Sequence, residues 1–281
     1  MDGRIKTVML LGLLTGLMLV VGGLIGGKGG LTIALIFAIV LNFGSYWFSD
    51  KIILFMYRAK EADKKQYHKL YSLVKEVAKK AEMPMPKVYI VKTDAPNAFA
   101  TGRNAKNSVV AVTTGILNLL NDEELSGVIA HEISHIKNYD MLIQAVAATI
   151  AGVISYLAMM ARYAAIFGGS RDDRDGGNIF ELLILAILAP LIAMIIQLAI
   201  SRSREYMADA SAAKTLKNSE GLSKALLKLE AGIKKNPMKF GNATTSSIFI
   251  ANPFSAKGVL TLFSTHPPIE ERVKRLREIS F

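Results

Sequence analysis

Two histidines four residues apart, with a glutamate directly after the first, stand in His131-Glu132-Ile133-Ser134-His135. These are the parts that peptide hydrolysis on a metal ion requires. On a helix, residues four apart lie about 40° apart around the axis and roughly 6 Å apart along it, so both imidazoles can reach one cation. Glu132 falls beside that cation, placed to take a proton from a water bound to it. Coincidence on a surface helix would give the same five letters. Scarcity argues against it, because the chain has four histidines, His68, His131, His135 and His266, and two of them fall here. A catalytic zinc takes three protein ligands and keeps a fourth position open. No further histidine follows on the same helix, since an apolar run begins at Met141. The third ligand must come from elsewhere, and Glu205 in Arg204-Glu205-Tyr206-Met207-Ala208-Asp209 is the best candidate. Glu205 and Asp209 share one helix face, so Glu205 would ligate while Asp209 accepts a hydrogen bond from a ligand imidazole and fixes its tautomer. On spacing alone, the same residues read equally well as a solvated charged face.

The pentapeptide needs a helix, and the sequence signals one. Asn121 is a plausible N-cap and Glu124 completes a capping box. Leu125, Val128, Ile129, Ile133 and Ile136 then form an apolar stripe at spacings of three and four. Before it, Lys87–Val91 and Ser108–Thr114 read as strands, with Phe99–Thr101 as a short third, which predicts a small sheet ahead of the helix. A basic amphipathic helix is expected over 59–82, ending before Pro84 and Pro86. Later helices are expected over Arg204–Lys217, Glu220–Lys234 and Pro268–Ile279, with a long polar loop over 236–265.

Composition points to a membrane. The chain of 281 residues is 51% hydrophobic, and its mean hydropathy is +0.33. Four apolar runs, 5–26, 31–49, 141–167 and 178–200, are each long enough to cross a hydrocarbon core of about 30 Å. The first could be a cleaved signal peptide, but its length and the second run directly after it favour a retained anchor. Arg162 and Glu181 leave room for the second pair to be a buried hairpin of a soluble domain. The predicted organisation is an N-terminal hairpin over 1–49, polar blocks over 50–140 and 201–281, and a second hairpin over 141–200. Lys51, Arg58, Lys60, Lys64, Lys65, Arg202 and Arg204 flank the spans, so the positive-inside bias puts both termini and the polar blocks in the cytoplasm. The net charge of +11 suits a surface next to anionic lipid, and no nucleic-acid motif organises it. There is no cysteine, which excludes thiolate ligands and thiol catalysis.

The combination of His131-Glu132-x-x-His135, Glu205-x-x-x-Asp209 about 70 residues later and a hydrophobic pair between them resembles the HtpX-type membrane zinc endopeptidases. These are relatives of the CAAX prenyl endopeptidases. The resemblance extends to Pro96-Asn97-Ala98-Phe99-Ala100-Thr101-Gly102 and to Ser264-Thr265-His266-Pro267-Pro268 with Arg272. It implies a mainly α, multi-pass protein of the cell membrane, with four spans and a cytoplasmic α+β domain of gluzincin type. It also implies one zinc per chain and a role in stress response and membrane-protein quality control, with unfolded polypeptides as substrates. By the same resemblance His131, His135 and Glu205 bind zinc and Glu132 is the general base. Asn97, Ala98, Phe99, Ala100 and Thr101 become an edge strand that docks substrate backbone, and His266 and Arg272 line the cleft. From the residues alone, His266 reads equally as a turn residue and Arg272 as a solvated charge. Two other functions fit the sequence: a CAAX-type endopeptidase, or a scaffold with a structural zinc closed by His266. Glu132 argues against the scaffold, because a closed site has no use for a base.

Overall fold

The computed structural model describes residues 3–102, 104–141, 176–240, 248–253 and 265–281, together with residues 143, 144, 147, 150, 151, 154, 155, 158 and 159. Much of the expected span over 141–167 lies outside these residues. The chain divides into two compact units, one from Met1–Asn42 with Leu142–Ile200 and one from Phe43–Met141 with Ser201–Phe281.

Helix α1 (Gly3–Met56), whose residues up to Asn42 belong to the first unit, is two helices joined at Gly26 and Gly27, which leave helical geometry. Gly27 has φ of 53° and ψ of −135°, a conformation that glycine adopts without a steric penalty. A side chain on Gly30 would collide with the Gly22 carbonyl, so the two arms approach backbone to backbone. The glycine-rich link thus makes the expected hairpin. Helix α5 (Gly176–Leu216) carries the last apolar run and continues through Arg204 without a break. Its part Ile187–Leu216 is, among the described residues, the one helix long and apolar enough to cross a membrane, and Gly26–Val40 is a shorter apolar helix.

The second unit is built on a mixed sheet of four strands in the order β1 (Lys60–Glu61), β2 (Lys87–Val91), β4 (Ser108–Thr113), β3 (Ala98–Gly102). β2 pairs parallel to β4, and β3 pairs antiparallel to it with Phe99 opposite Ala111. β4 is buried along its whole length, as its β-branched sequence requires of a central strand. Side chains alternate across the sheet. Ala98, Ala100, Val110 and Val112 face the main core, while Phe99 and Ala111 face a second cluster with Tyr57 and Phe249. The expected helix over 59–82 is shorter. Asp63 Oδ1 accepts from the backbone N–H groups of Lys65 and Gln66, at 2.7 and 3.1 Å, which makes a turn. Residues 60 and 61 join the sheet instead, and helix α2 spans His68–Lys80.

After the short helix α3 (Thr114–Leu119), α4 (Asp122–Asn138) carries the histidine motif. Its capping box forms as the sequence predicts: Asn121 Oδ1 accepts from Glu124 N–H at 2.9 Å, and Glu124 Oε2 accepts from Asn121 N–H at 3.0 Å. The stripe of Leu125, Val128, Ile129 and Ile133 is buried against α2, the sheet and α6 (Glu220–Lys235). Helix α7 (Ile269–Arg277) packs on α6.

The α4–α6 contact is tight at Gly127, where a Cβ would sit 2.7 Å from the Leu222 backbone nitrogen. Gly127→Ala is therefore expected to destabilise the second unit by about 1–3 kcal/mol, despite alanine's better helix propensity. Denaturant melts of the parent and the variant measure it; a gain in stability would contradict the packing.

Candidate metal centre

Helix α4 presents His131 and His135 from one face, with ring planes at 89° and their Nε2 atoms 2.9 Å apart. Helix α5 brings Glu205 to the same point, with Oε1 3.5 Å from His135 Nε2 and Oε2 3.5 Å from His131 Nε2. One ligand atom from each of the three residues lies within 4.8 Å of the others. Each imidazole turns its other nitrogen to a carboxylate. His131 Nδ1 is 2.9 Å from Asp209 Oδ1, and His135 Nδ1 is 2.8 Å from Asp140 Oδ2. If both Nδ1 atoms donate, both Nε2 lone pairs converge on one small space beside a third, anionic oxygen. Only a positive charge relieves that arrangement, so the residues fit a metal ion with nitrogen and oxygen ligands.

Without a metal, a proton does the same work. Burial alone would lower the His131 pKa, but hydrogen bonds to Asp209 and Glu205 outweigh it and raise the pKa to about 9. Glu132, one residue on, is also buried, and its Oε1 has no hydrogen-bond partner among the described residues. Burial raises its carboxyl above the usual range, although the two imidazoles pull it back. A buried carboxyl with a raised pKa and an uncommitted oxygen is suited to moving protons.

Arg272, from α7, is fully buried instead of lying as a solvated charge. Its Nε donates to Asp209 Oδ2 at 2.8 Å and its Nη2 to Asp209 Oδ1 at 2.7 Å, a bidentate pair. Its Nη1 donates to the Ile250 carbonyl at 2.7 Å and lies 3.2 Å from Glu205 Oε2. These contacts hold Asp209 and Glu205 in place and leave the guanidinium little to offer a substrate. His266 is buried at the same centre, with Nδ1 3.5 Å from Glu205 Oε2.

Asn97 precedes β3, which is an edge strand of the sheet, but residues 97–101 are all buried. Part of the edge is already taken. Ile250 N–H donates to the Ala98 carbonyl at 3.1 Å, Asn97 Nδ2 donates to the Ala251 carbonyl at 2.8 Å, and Phe249 bridges Phe99. The predicted loop over 236–265 thus contributes a strand-like segment, of which residues 248–253 are described.

Sequence reasoning missed Asp140 and gave Arg204 only a role in orientation. Asp140 is five residues past His135, about 140° away on a continued helix, so spacing offers no signal. Tyr139 ends α4 in the left-handed region, with φ of 58°, and this turn brings Asp140 back to the imidazole.

Residues 64–280 match Peptidase family M48. A relative named Protease HtpX homolog, from Desulforapulum autotrophicum, is 52% identical over 279 residues, covering 99% of this chain and 90% of its own. A second of that name, from Pyrococcus furiosus, is 50% identical over 276 residues, covering 98% and 96%. The crystal structure of S. mikatae Ste24p matches with a TM-score of 0.60 at 19% identity, over 94% of this chain. This chain spans 62% of that one, and the likeness is one of fold.

The raised pKa of His131 has a measurable consequence. Its proton stabilises the metal-free fold fully below the ordinary value of 6.5, and that contribution disappears as pH rises through about 9. Thermal melts of metal-free protein should therefore lose stability across that window. Metal must displace the same proton, so loading near neutral pH is expected to release about one proton from this group. Calorimetric titration in buffers of different ionisation enthalpy measures it; no proton release would contradict the assignment.

Proposed function

Since the chain belongs to peptidase family M48, we propose that His131, His135 and Glu205 hold a single catalytic zinc and that Glu132 is the general base. The chain is a membrane-bound metalloprotease, a hydrolase of peptide bonds. The residue roles rest on one observation above others: the convergence of two Nε2 atoms and the Glu205 carboxylate on one point, with a buried, partly unsatisfied Glu132 alongside.

Zinc bound there would polarise the scissile carbonyl and make a water nucleophilic near neutral pH. His131 and His135 would offer Nε2 lone pairs oriented by the carboxylates beside their Nδ1 atoms, and Glu205 would add a negative ligand. Glu132 takes the proton from the attacking water and hands it to the leaving amine, for which a raised carboxyl pKa is an advantage. Arg272 keeps Asp209 ionised and oriented, and His266 with Arg272 holds the Glu205 carboxyl well below its usual range. His266, buried beside Glu205, would donate to the developing oxyanion.

Substrate backbone would add to the β3 edge as an extended strand. Among the described residues, Ile250 takes the Ala98 carbonyl and the Ala100 N–H donates to the Glu132 carboxylate, so substrate pairing along Asn97–Thr101 would have to use the remaining groups of that edge. We take the substrates to be damaged or misfolded membrane proteins, and the physiological role to be quality control under stress. The relatives' name of protease supports hydrolysis of a polypeptide, and the apolar run in α5 ahead of the ligand residue suits substrates held in a membrane. Four spans of the cell membrane, with both termini and the centre on the cytoplasmic side, fit the apolar runs and their basic flanks.

Glu132→Gln is expected to keep about one zinc per chain and to lose roughly 10²–10⁴-fold in cleavage of an unfolded protein, because the base alone is removed. Full activity in that variant would sink the mechanism. Glu205→Ala should fail to retain zinc through chelation and dialysis. Metal analysis beside the cleavage assay, with and without chelator, separates the two outcomes.

A further inference from the structure

We infer that Asp140 and Arg204 act in series as a positioning relay that orients His135 toward the metal, a counterpart of the Asp209–Arg272 pair behind His131. The inference rests on His135 being a metal ligand.

The geometry is that of a chain of fixed contacts. Asp140 is 1% exposed, and its Oδ2 lies 2.8 Å from His135 Nδ1. Its Oδ1 accepts from Arg204 Nε at 2.6 Å. Both carboxylate oxygens are thus committed, one to the imidazole and one to the guanidinium. Arg204 is anchored in turn by Nη2, which donates to the Asn138 carbonyl at 3.3 Å. That carbonyl ends α4 and has no acceptor role within its own helix. Arg204 therefore ties the end of the ligand helix to α5 while it steers the carboxylate.

Three features argue for a role at the metal over a simple surface ion pair. Exposed pairs are worth little because water competes for both ends, whereas this carboxylate is buried. Tyr139 takes up the left-handed conformation, uncommon for a residue with a side chain, and thereby delivers Asp140 to His135. Finally, Arg204 directly precedes Glu205, so one turn of α5 supplies both a ligand and the anchor of another ligand's partner. With Nδ1–H held by Asp140, the imidazole is fixed in the tautomer that leaves the Nε2 lone pair facing His131 and Glu205. Arg204 prevents the carboxylate from rotating away.

Cobalt(II) reads ligand geometry through its visible absorption, and its titration into the metal-stripped, full-length protein tests the relay. Asp140→Ala is expected to weaken cobalt binding about 10–100-fold and to shift the absorption bands, with the melting temperature of the metal-free protein little changed. Arg204→Ala should weaken binding by a smaller factor. The double variant should bind as Asp140→Ala does, because members of a series share one effect. Losses that multiply would overturn the relay, as would an Asp140→Ala variant with the parent's affinity and spectrum. If Asp140→Ala does not fold, Arg204→Lys is the deciding variant. It keeps the charge but not the guanidinium geometry, so shifted bands are expected and an unchanged spectrum overturns the proposal. His135→Ala separates this failure from a wrong ligand assignment, since cobalt binding like the parent's there would refute the ligand set itself.

Discussion

Arg272 carries a guanidinium into a place that water does not reach, and the centre is arranged to compensate it. Removing one partner of such a buried pair typically costs about 3–5 kcal/mol, so the charge binds its neighbours firmly to one arrangement. Asp209 takes the bidentate contact, and its Oδ1 also faces His131 Nδ1. Glu205 sits against the same guanidinium, and the Ile250 carbonyl caps it from the segment beside β3. One cation from the last helix therefore couples helices α4 and α5 and the β3 edge. None of these elements is close to Arg272 in sequence.

The same buried charges explain how metal and fold are connected. Two imidazoles whose Nδ1 atoms face carboxylates bring their Nε2 atoms to 2.9 Å, an approach that needs a proton or a metal cation between them. The protein holds this unfavourable arrangement because α4 is locked on both sides, by its apolar stripe in the core and by Gly127 against Leu222. The rigid helix makes the site; the site does not make the helix. Metal binding then exchanges one positive charge for another, a proton on His131 for a cation.

The β3 edge shows how local and distant sequence divide the work. Its pairing with β4 is consistent with the alternation of small Ala98, Ala100 and Gly102 with larger Phe99 and Thr101. Which of its carbonyls remain available does not follow from them. Ile250 takes the Ala98 carbonyl, and Phe249 packs edge-on against Tyr57 and Phe99 at 4.8 and 5.3 Å. Only a chain folded back over some 150 residues brings these groups together.

Much of what depends on helical spacing was legible in the sequence. It determined the capping box of Asn121 and Glu124, the apolar stripe of α4, the two imidazoles on one face and the glycine hairpin at Gly26 and Gly27. Helical periodicity also put Glu205 and Asp209 on one face, but that spacing suits a solvated charged face equally well, and only the folded chain brings both to the imidazoles. Periodicity passed over one local signal: the exposed Asp63 caps a turn with its side chain, and residues 60 and 61 join strand β1 instead of the expected helix. Other outcomes depended on contacts that helical spacing does not reach. Tyr139 broke the helical register and brought Asp140 to His135, where the continued helix would have pointed it away. Arg272, which reads in isolation as one more solvated charge on a basic terminal helix, became the buried partner of Asp209. For Asp140 and Arg272 the physical reason is shared: local sequence sets dihedral preferences worth a fraction of a kcal/mol per residue, whereas matching a buried charge outweighs several of them at once.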